Sequence, residues 1–257
     1  MRPLFLLIPL LMLACAPAPP NNPPPPTATS TAQATETADV ESRWPSPLAT
    51  PPPERSGIRQ LPPVDHAVRD REFAKFRDEL LIATREKNHS AVLAALNPRI
   101  RTSFGEEGGI DHFNTMWHPE DPGSSLWSQL EDVLELGGSF LASSGSQIFC
   151  APYPYSEWPG DLDAFEHLVV IRPGTTLKVS RDPSSTGHTS LGYEFVRIAA
   201  DDPVRSGNRK APWRKVVTAD GKEGWVDAYN VRSSISYRAC FSRQPDGWKM
   251  DVFVAGD

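Results

Sequence analysis

The chain has 257 residues, and 26 Lys and Arg stand against 32 Asp and Glu for a formal net charge of −6. Residues 1–63 carry four basic and four acidic side chains, so the whole acidic excess falls on 64–257, a stretch long enough for one sizeable core or two small ones. A mildly acidic body argues against nucleic acid as a partner, because phosphate binding needs clustered Lys and Arg, and the one compact basic run, RSGNRK (205–210), reads as a solvated loop.

The chain opens MRPLFLLIPLLMLAC, with Arg2, an apolar run from Leu4 to Leu13, then Ala14 and Cys15. The run is too short to span a bilayer comfortably and has the proportions of a signal-peptide core. Its ending LMLAC resembles a bacterial lipoprotein signal, although Met12 and Leu13 depart slightly from that pattern; an ordinary secretory signal with an incidental cysteine is the alternative. The resemblance implies cleavage after residue 14, lipidation of Cys15 and a membrane anchor made of acyl chains. Ala16 directly after the cysteine implies the outer membrane, facing the periplasm, in a Gram-negative cell.

Residues 16–63 contain 14 prolines, with Thr, Ala and Ser filling much of the remainder. Such a segment cannot bury enough apolar surface to fold. Residues 15–63 are therefore expected to be a disordered tether, roughly 150 Å long as polyproline II and about 40 Å as a coil. Export would also favour a disulfide between the two remaining cysteines, Cys150 and Cys240, over two buried thiols.

Helical spacing follows. Val68, Phe73, Phe76, Leu80 and Leu81 share one face, and Asn88 is placed to cap a short helix through Val92, Leu93 and Leu96. RIRTSF (99–104) alternates as a half-buried strand, with Ile100, Thr102 and Phe104 on one side. Ile110, Phe113, Met116 and Trp117 restore a helical period. Ser124 or Ser125 caps a further helix that ends at Gly137, and SQIFC (146–150) is strand-like.

From His167 the pattern changes to short strands between turns: LVVI (168–171), TLKV (176–179), EFVRIA (194–199), WRKVVT (213–218) and GWVD (224–227). The run TLKVSRDPSSTGHTSLG, then FVRI, then WRKVVTADGKEGWVDAYNV resembles a bacterial SH3-like (SH3b) domain over about 167–232. Its Asp-Gly, Gly-Trp and Tyr-x-Val pieces carry most of the likeness. Lys178-Val179-Ser180 in place of Asn-Val-Arg, and the long loop 201–212, depart from that family. Gly224 reads as a backbone requirement at a crowded strand start. Trp225 either plugs the barrel or floors a groove, and the spacing leaves both open.

The last segment, 235–257, reads as a hairpin. Ile235, Tyr237, Ala239 and Phe241 alternate, Pro-Asp-Gly (245–247) turns, and Trp248, Met250, Val252 and Val254 alternate back. Two such strands need a sheet and a covering helix. The expected fold is thus α+β: a discontinuous domain, 64–165 plus 234–257, with an SH3-like barrel, 166–233, inserted in it. The order of long helix, alternating strand and final Asp-Gly-Trp hairpin also resembles the cone-shaped nuclear-transport-factor-2-like group.

The sequence holds no Gly-x-Ser-x-Gly elbow, Walker loop, His-Glu-x-x-His or Cys-x-x-Cys. Asp111, His112, His118, Glu120 and Asp121 flank a Pro-rich turn and read as a solvated loop, not a metal site. Asp161, Asp163 and Glu166 read as an exposed turn. Neither a cofactor nor an enzymatic activity is expected.

Aromatics are the better lead. Barrels of the resembling type hold extended peptides with surface rings, which makes Tyr193, Phe195, Trp213, Trp225 and Tyr229 the candidate ligand groove. Tyr153, Tyr155 and Trp158 are placed to pack the barrel onto its host. The expected function is a lipid-anchored, non-enzymatic envelope protein that binds peptidoglycan peptides or an envelope protein. The alternatives are a small-molecule or catalytic pocket in the α+β domain with the barrel as accessory, and a structural assembly protein.

Overall fold

The computed structural model describes residues 57–256, apart from 106, 144–145 and 205–210; at 142, 143 and 146 the backbone alone is described. The signal sequence, Cys15, the tether as far as residue 56 and the basic run 205–210 lie outside those residues.

Asp65 starts the ordered helical part. Its carboxylate accepts from Ala67 N at the head of a 3-10 turn, His66–Arg69, and takes two bonds of 2.7 Å from Arg77. Asp70 then caps a separate helix, α1 (Arg71–Arg85), by accepting from the N–H groups of Glu72 and Phe73. That cap removes Val68 from the helical face where the spacing had put it, and Val68 is exposed. Asn88 caps α2 (His89–Ala94) as its position predicts. α3 (Gly109–Trp117) and α4 (Ser125–Glu135) follow, the second capped by Ser124 and left through Gly137 at φ +66°. A short helix, α5 (Tyr153–Ser156), completes the helical set.

The strands are β1 (Leu96–Arg101), β2 (Ser139–Ser143), β3 (Ser146–Ala151), β4 (His167–Val170), β5 (Thr175–Lys178), β6 (Gly187–Leu191), β7 (Phe195–Ile198), β8 (Trp213–Val217), β9 (Glu223–Asp227), β10 (Val231–Arg232), β11 (Arg238–Gln244) and β12 (Gly247–Val254). They form two sheets, and with the helices they make an α+β fold.

The first sheet has the order β1-β12-β11-β3-β2, parallel at β1–β12 and antiparallel elsewhere. β1 starts three residues before the expected strand, because Leu96 pairs with Met250. It ends at Arg101, so Ile100 and Thr102 are buried while Phe104 is 48% exposed. β2 was hidden by the glycines that precede it; a Cβ on Gly138 would meet Cys150 O at 2.2 Å, so only glycine lets β2 start against β3. Along β12 the expected alternation fails after Met250. Phe241 faces Met250 but Cys240 faces Val252, so Asp251 is an extra residue, and Phe253 rather than Val252 enters the core.

Four helices cover one face of this sheet around Phe73. Its ring lies 4.3–6.2 Å, centroid to centroid, from those of Phe76, Phe140, Phe149, Phe241 and Trp248. Phe149 and Phe241 face one another across β3 and β11, and the neighbouring pair Cys150 and Cys240 points to the opposite face as a disulfide. The bond joins the last strand before residues 152–237 to the first strand after them.

The second sheet draws every strand from 167–232, in the order β10-β4-β7-β8-β9-β5-β6, and all its pairings are antiparallel. It curls around its own aliphatic core of Leu168, Val170, Leu177, Leu191, Val196, Ile198, Val216, Val226 and Val231. The 3-10 turn Ala228–Asn230, capped by Asp227, leads into β10. β6 is a mostly exposed edge strand whose polar sequence, GHTSL, gave no periodic signal.

A third apolar cluster joins α5 and the end of α4 to the second sheet. Tyr153, Leu136, Val169, Ile171 and Phe195 are buried together, with Leu61, Val64, Trp158 and Leu162 against them. This seam corrects the tether boundary. Residues 59–61 run beside β7, with Phe195 N donating to Arg59 O at 3.2 Å and Leu61 N to Tyr193 O at 2.7 Å. Asp161 lies in an exposed turn, as expected, and there it takes two bonds of 2.8 Å from Arg59 at the surface.

The hydroxyl of Tyr153 is buried in the seam without a hydrogen-bond partner among the described residues. Burial first, and Tyr193 second, push its pKa well above the ordinary phenol range. A phenol whose folded pKa exceeds its unfolded value of about 10 leaves stability intact below pH 10 and withdraws it as pH rises above that. Denaturant midpoints should therefore fall steeply above about pH 10. Tyr153→Phe should flatten that slope while retaining most of the stability at neutral pH.

Candidate functional site

The five aromatic candidates divide by where their strands place them. Tyr193 and Phe195 are 4% and 7% exposed. Phe195 sits edge-on to Trp158 at 5.1 Å, and Tyr193 holds Leu61 through its carbonyl. Both belong to the seam, so burial removes them from any ligand groove. Trp213 and Trp225 are half-buried and Tyr229 is exposed. These three belong to the region of β8, β9 and the turn after it.

Strand alternation puts Trp225 on the outer face. Its neighbours Gly224 and Val226 are buried, and a Cβ on Gly224 would lie 2.7 Å from Lys178 O and 2.8 Å from Leu177 Cγ. Glycine is thus required by the close approach of β5, and the tryptophan after it must face outward. Trp225 is not the plug of the curled sheet, whose interior is aliphatic. Across the strands it faces Lys215 on one side and Lys178 on the other, and Trp213 pairs with Asp227 two residues along.

Two cations lie over the Trp225 ring. The guanidinium carbon of Arg181 is 5.0 Å from the ring centroid and Lys215 Nζ is 5.9 Å away. Lys215 also bridges Asp201 at 2.6 Å and Glu223 at 2.7 Å, and these bonds, Asp201's first, raise its pKa and keep it charged. Asp201 is lowered in turn by the same bond. The face therefore offers half-exposed indole surface with the Arg181 guanidinium over it and a Lys215 already matched by Asp201 and Glu223, an arrangement that can hold an extended chain and pair a carboxylate. Arg181 was not singled out by sequence reasoning. It lies in the Arg-Asp-Pro-Ser turn, yet one strand register does not reveal that this turn folds over Trp225.

Beneath the face, Asp202 is fully buried and accepts from Arg214 Nε and Lys215 N. This fixes the start of β8 where loop 201–212 returns to the sheet.

Other candidates have structural partners. His112 Nε2 lies 3.0 Å from Glu107, and its Nδ1 lies against Thr102 Oγ1; His118 Nδ1 lies 3.4 Å from Glu120. Among the described residues no group of three or more His, Cys, Asp or Glu could hold a metal ion. The space between the first sheet and its helices is filled by the rings around Phe73. An open cleft of about 470 Å³ lies between the end of α2, the start of α3, β1 and the turn of the final hairpin, lined by Asn97, Arg99, Ile110, Gln244 and Lys249 among others. Lys249 there is tied to Ala94 O and Asp246. No helix of the described residues is long and apolar enough to cross a membrane.

No protein-family model and no curated protein matches the chain. One solved structure, named as an Rd1NTF2 variant with five substitutions, aligns with 71% of this chain and 95% of its own at 10% identity and a TM-score of 0.27. A likeness at that score carries no argument.

Gly224 and Trp225 should separate cleanly on substitution. Gly224→Ala forces a methyl group into β5 and should cost about 1–3 kcal/mol in a urea titration. Trp225→Ala, on the outer face, should cost less than the glycine change.

Proposed function

We propose that this is a lipid-anchored protein of the bacterial envelope, in which an SH3-like barrel formed by 167–232 is inserted in an α+β host and binds cell-wall peptides. Cys15 would carry the lipid, most of the Pro-rich segment would act as the tether, and the outer membrane facing the periplasm would be its location. The observation that carries the reading is the outer face at Trp225, where an indole and two cations stand on a rigid sheet. Short antiparallel strands around an aliphatic core, with a single 3-10 turn before the last one, support the SH3-like assignment. Recognition there needs no cofactor and no reaction. Anchoring offsets a weak affinity by raising the effective concentration of the module beside its target.

A protein partner of the envelope would use the same face, and the test below distinguishes the two. The reading of the host as a small-molecule or catalytic pocket is disfavoured by the packed rings around Phe73, which occupy the layer between the first sheet and its helices.

The mature chain should co-sediment with purified peptidoglycan sacculi. Trp225→Ala, verified as folded by circular dichroism, should lose most of that binding. Sedimentation unchanged in the variant would move the site off this face, and absence of binding by either protein would favour a protein partner.

A further inference from the structure

Arg181 differs from the other cations of the Trp225 face in what it leaves unused. Lys215 is occupied by two carboxylates, and Lys178 Nζ donates to the carbonyls of Pro183 at 2.7 Å and Ser185 at 3.1 Å. Arg181 is exposed, and among the described residues it makes no ion pair. Its sequence neighbour Asp182 accepts from the N–H of Ser184 at 2.8 Å and from its hydroxyl at 2.7 Å. Those bonds, the backbone one first, hold the Asp182 pKa below the ordinary carboxylate value and commit that group to the turn.

The turn that carries Arg181 is braced from within. Val179 N donates to Thr186 O at 3.1 Å, Ser180 N to Ser185 Oγ at 3.2 Å and Ser185 N to Asp182 O at 2.9 Å. Together with the two Lys178 bonds, they fix the hairpin tip over the indole. A guanidinium that lies over an aromatic ring keeps its N–H fork available for a planar anion, and little rotamer entropy remains to be lost.

We propose that Arg181 and Trp225 form a clamp that selects cell-wall peptides bearing a free carboxylate, with the fork of Arg181 taking the carboxylate and the indole taking the adjoining apolar surface. This rests on the reading of the barrel as a cell-wall module. Positive charge matched to a carboxylate, rather than apolar area, sets the preference.

The test uses the mature chain and two synthetic probes: the peptide Ala-Glu-Lys-Ala as the free acid, and its C-terminal amide with Gln in place of Glu. Binding is read from tryptophan fluorescence. The free acid should bind about tenfold more tightly than the amide, and Arg181→Gln should erase that ratio, as expected for one charge-assisted bidentate pair. Arg181→Lys keeps the charge without the fork and should restore only part of it. Equal affinity for the two probes on the unmodified protein overturns the inference without any variant. A preference that persists in Arg181→Gln also overturns it.

The two readings fail separately. Acid-selective binding that depends on Arg181, with no retention by sacculi, supports the clamp and redirects it to an acidic protein segment. Sacculus binding that needs Trp225 but ignores both probes keeps the cell-wall reading and removes the clamp.

Discussion

The apolar seam that packs α5 and the end of α4 against the second sheet is the contact on which the rest of the molecule depends. Tyr153 from α5, Phe195 from β7 and Ile171 after β4 come from either side of it, and Leu61 and Val64 are laid across from the N-terminal segment. Full burial of side chains this size contributes about 1.5–3 kcal/mol each. The Cys150–Cys240 disulfide restrains the same junction covalently, because it ties the strands before and after 152–237. A 90-residue closure of that kind is worth up to several kcal/mol through the unfolded chain. The curled sheet is therefore fixed to its host and is not swung on two loose strands.

The seam also decides which aromatic rings can meet a ligand. By burying Tyr193 and Phe195 it confines accessible aromatic surface in this sheet to the outer side of β8 and β9 and the following turn. There Gly224 brings β5 close, Trp225 turns outward, and the β5–β6 turn sets Arg181 above it. The architecture and the proposed recognition are linked through that division: one set of rings holds the second sheet to α5, and another faces solvent beneath Arg181.

Much of this was legible in the sequence wherever the signal was local. The caps at Asn88 and Ser124, the periodic faces of α1 and α4, and the final hairpin are set by neighbouring residues. What was not legible depended on distant partners. The paired cysteines could be favoured from export alone, but the strand register that places them face to face could not. Asp251 reads as one more strand residue until β11 pairs with Met250 and Val252 and leaves it over. Gly138 and the polar edge strand β6 carry no apolar period. Leu61 looks like part of a proline-rich tether, and only Tyr193 and Arg59's contact with Asp161 show that the chain is already bound there. For the site, the aromatic types were visible, but their division into seam and face was not, since it depends on which surface β7 and the bend at Tyr193 turn inward and which surface β8 and β9 turn out.

The central claim is that the seam rings are silent in recognition and the face rings are not. Two-dimensional NMR of the mature chain, titrated with soluble peptidoglycan fragments, tests it directly. The account predicts shifts of the Trp213 and Trp225 indole N–H signals and of the Tyr229 ring, with Tyr193 and Phe195 unmoved. Shifts confined to Asn97, Gln244 and Lys249, or centred on Tyr193 and Phe195, would contradict it.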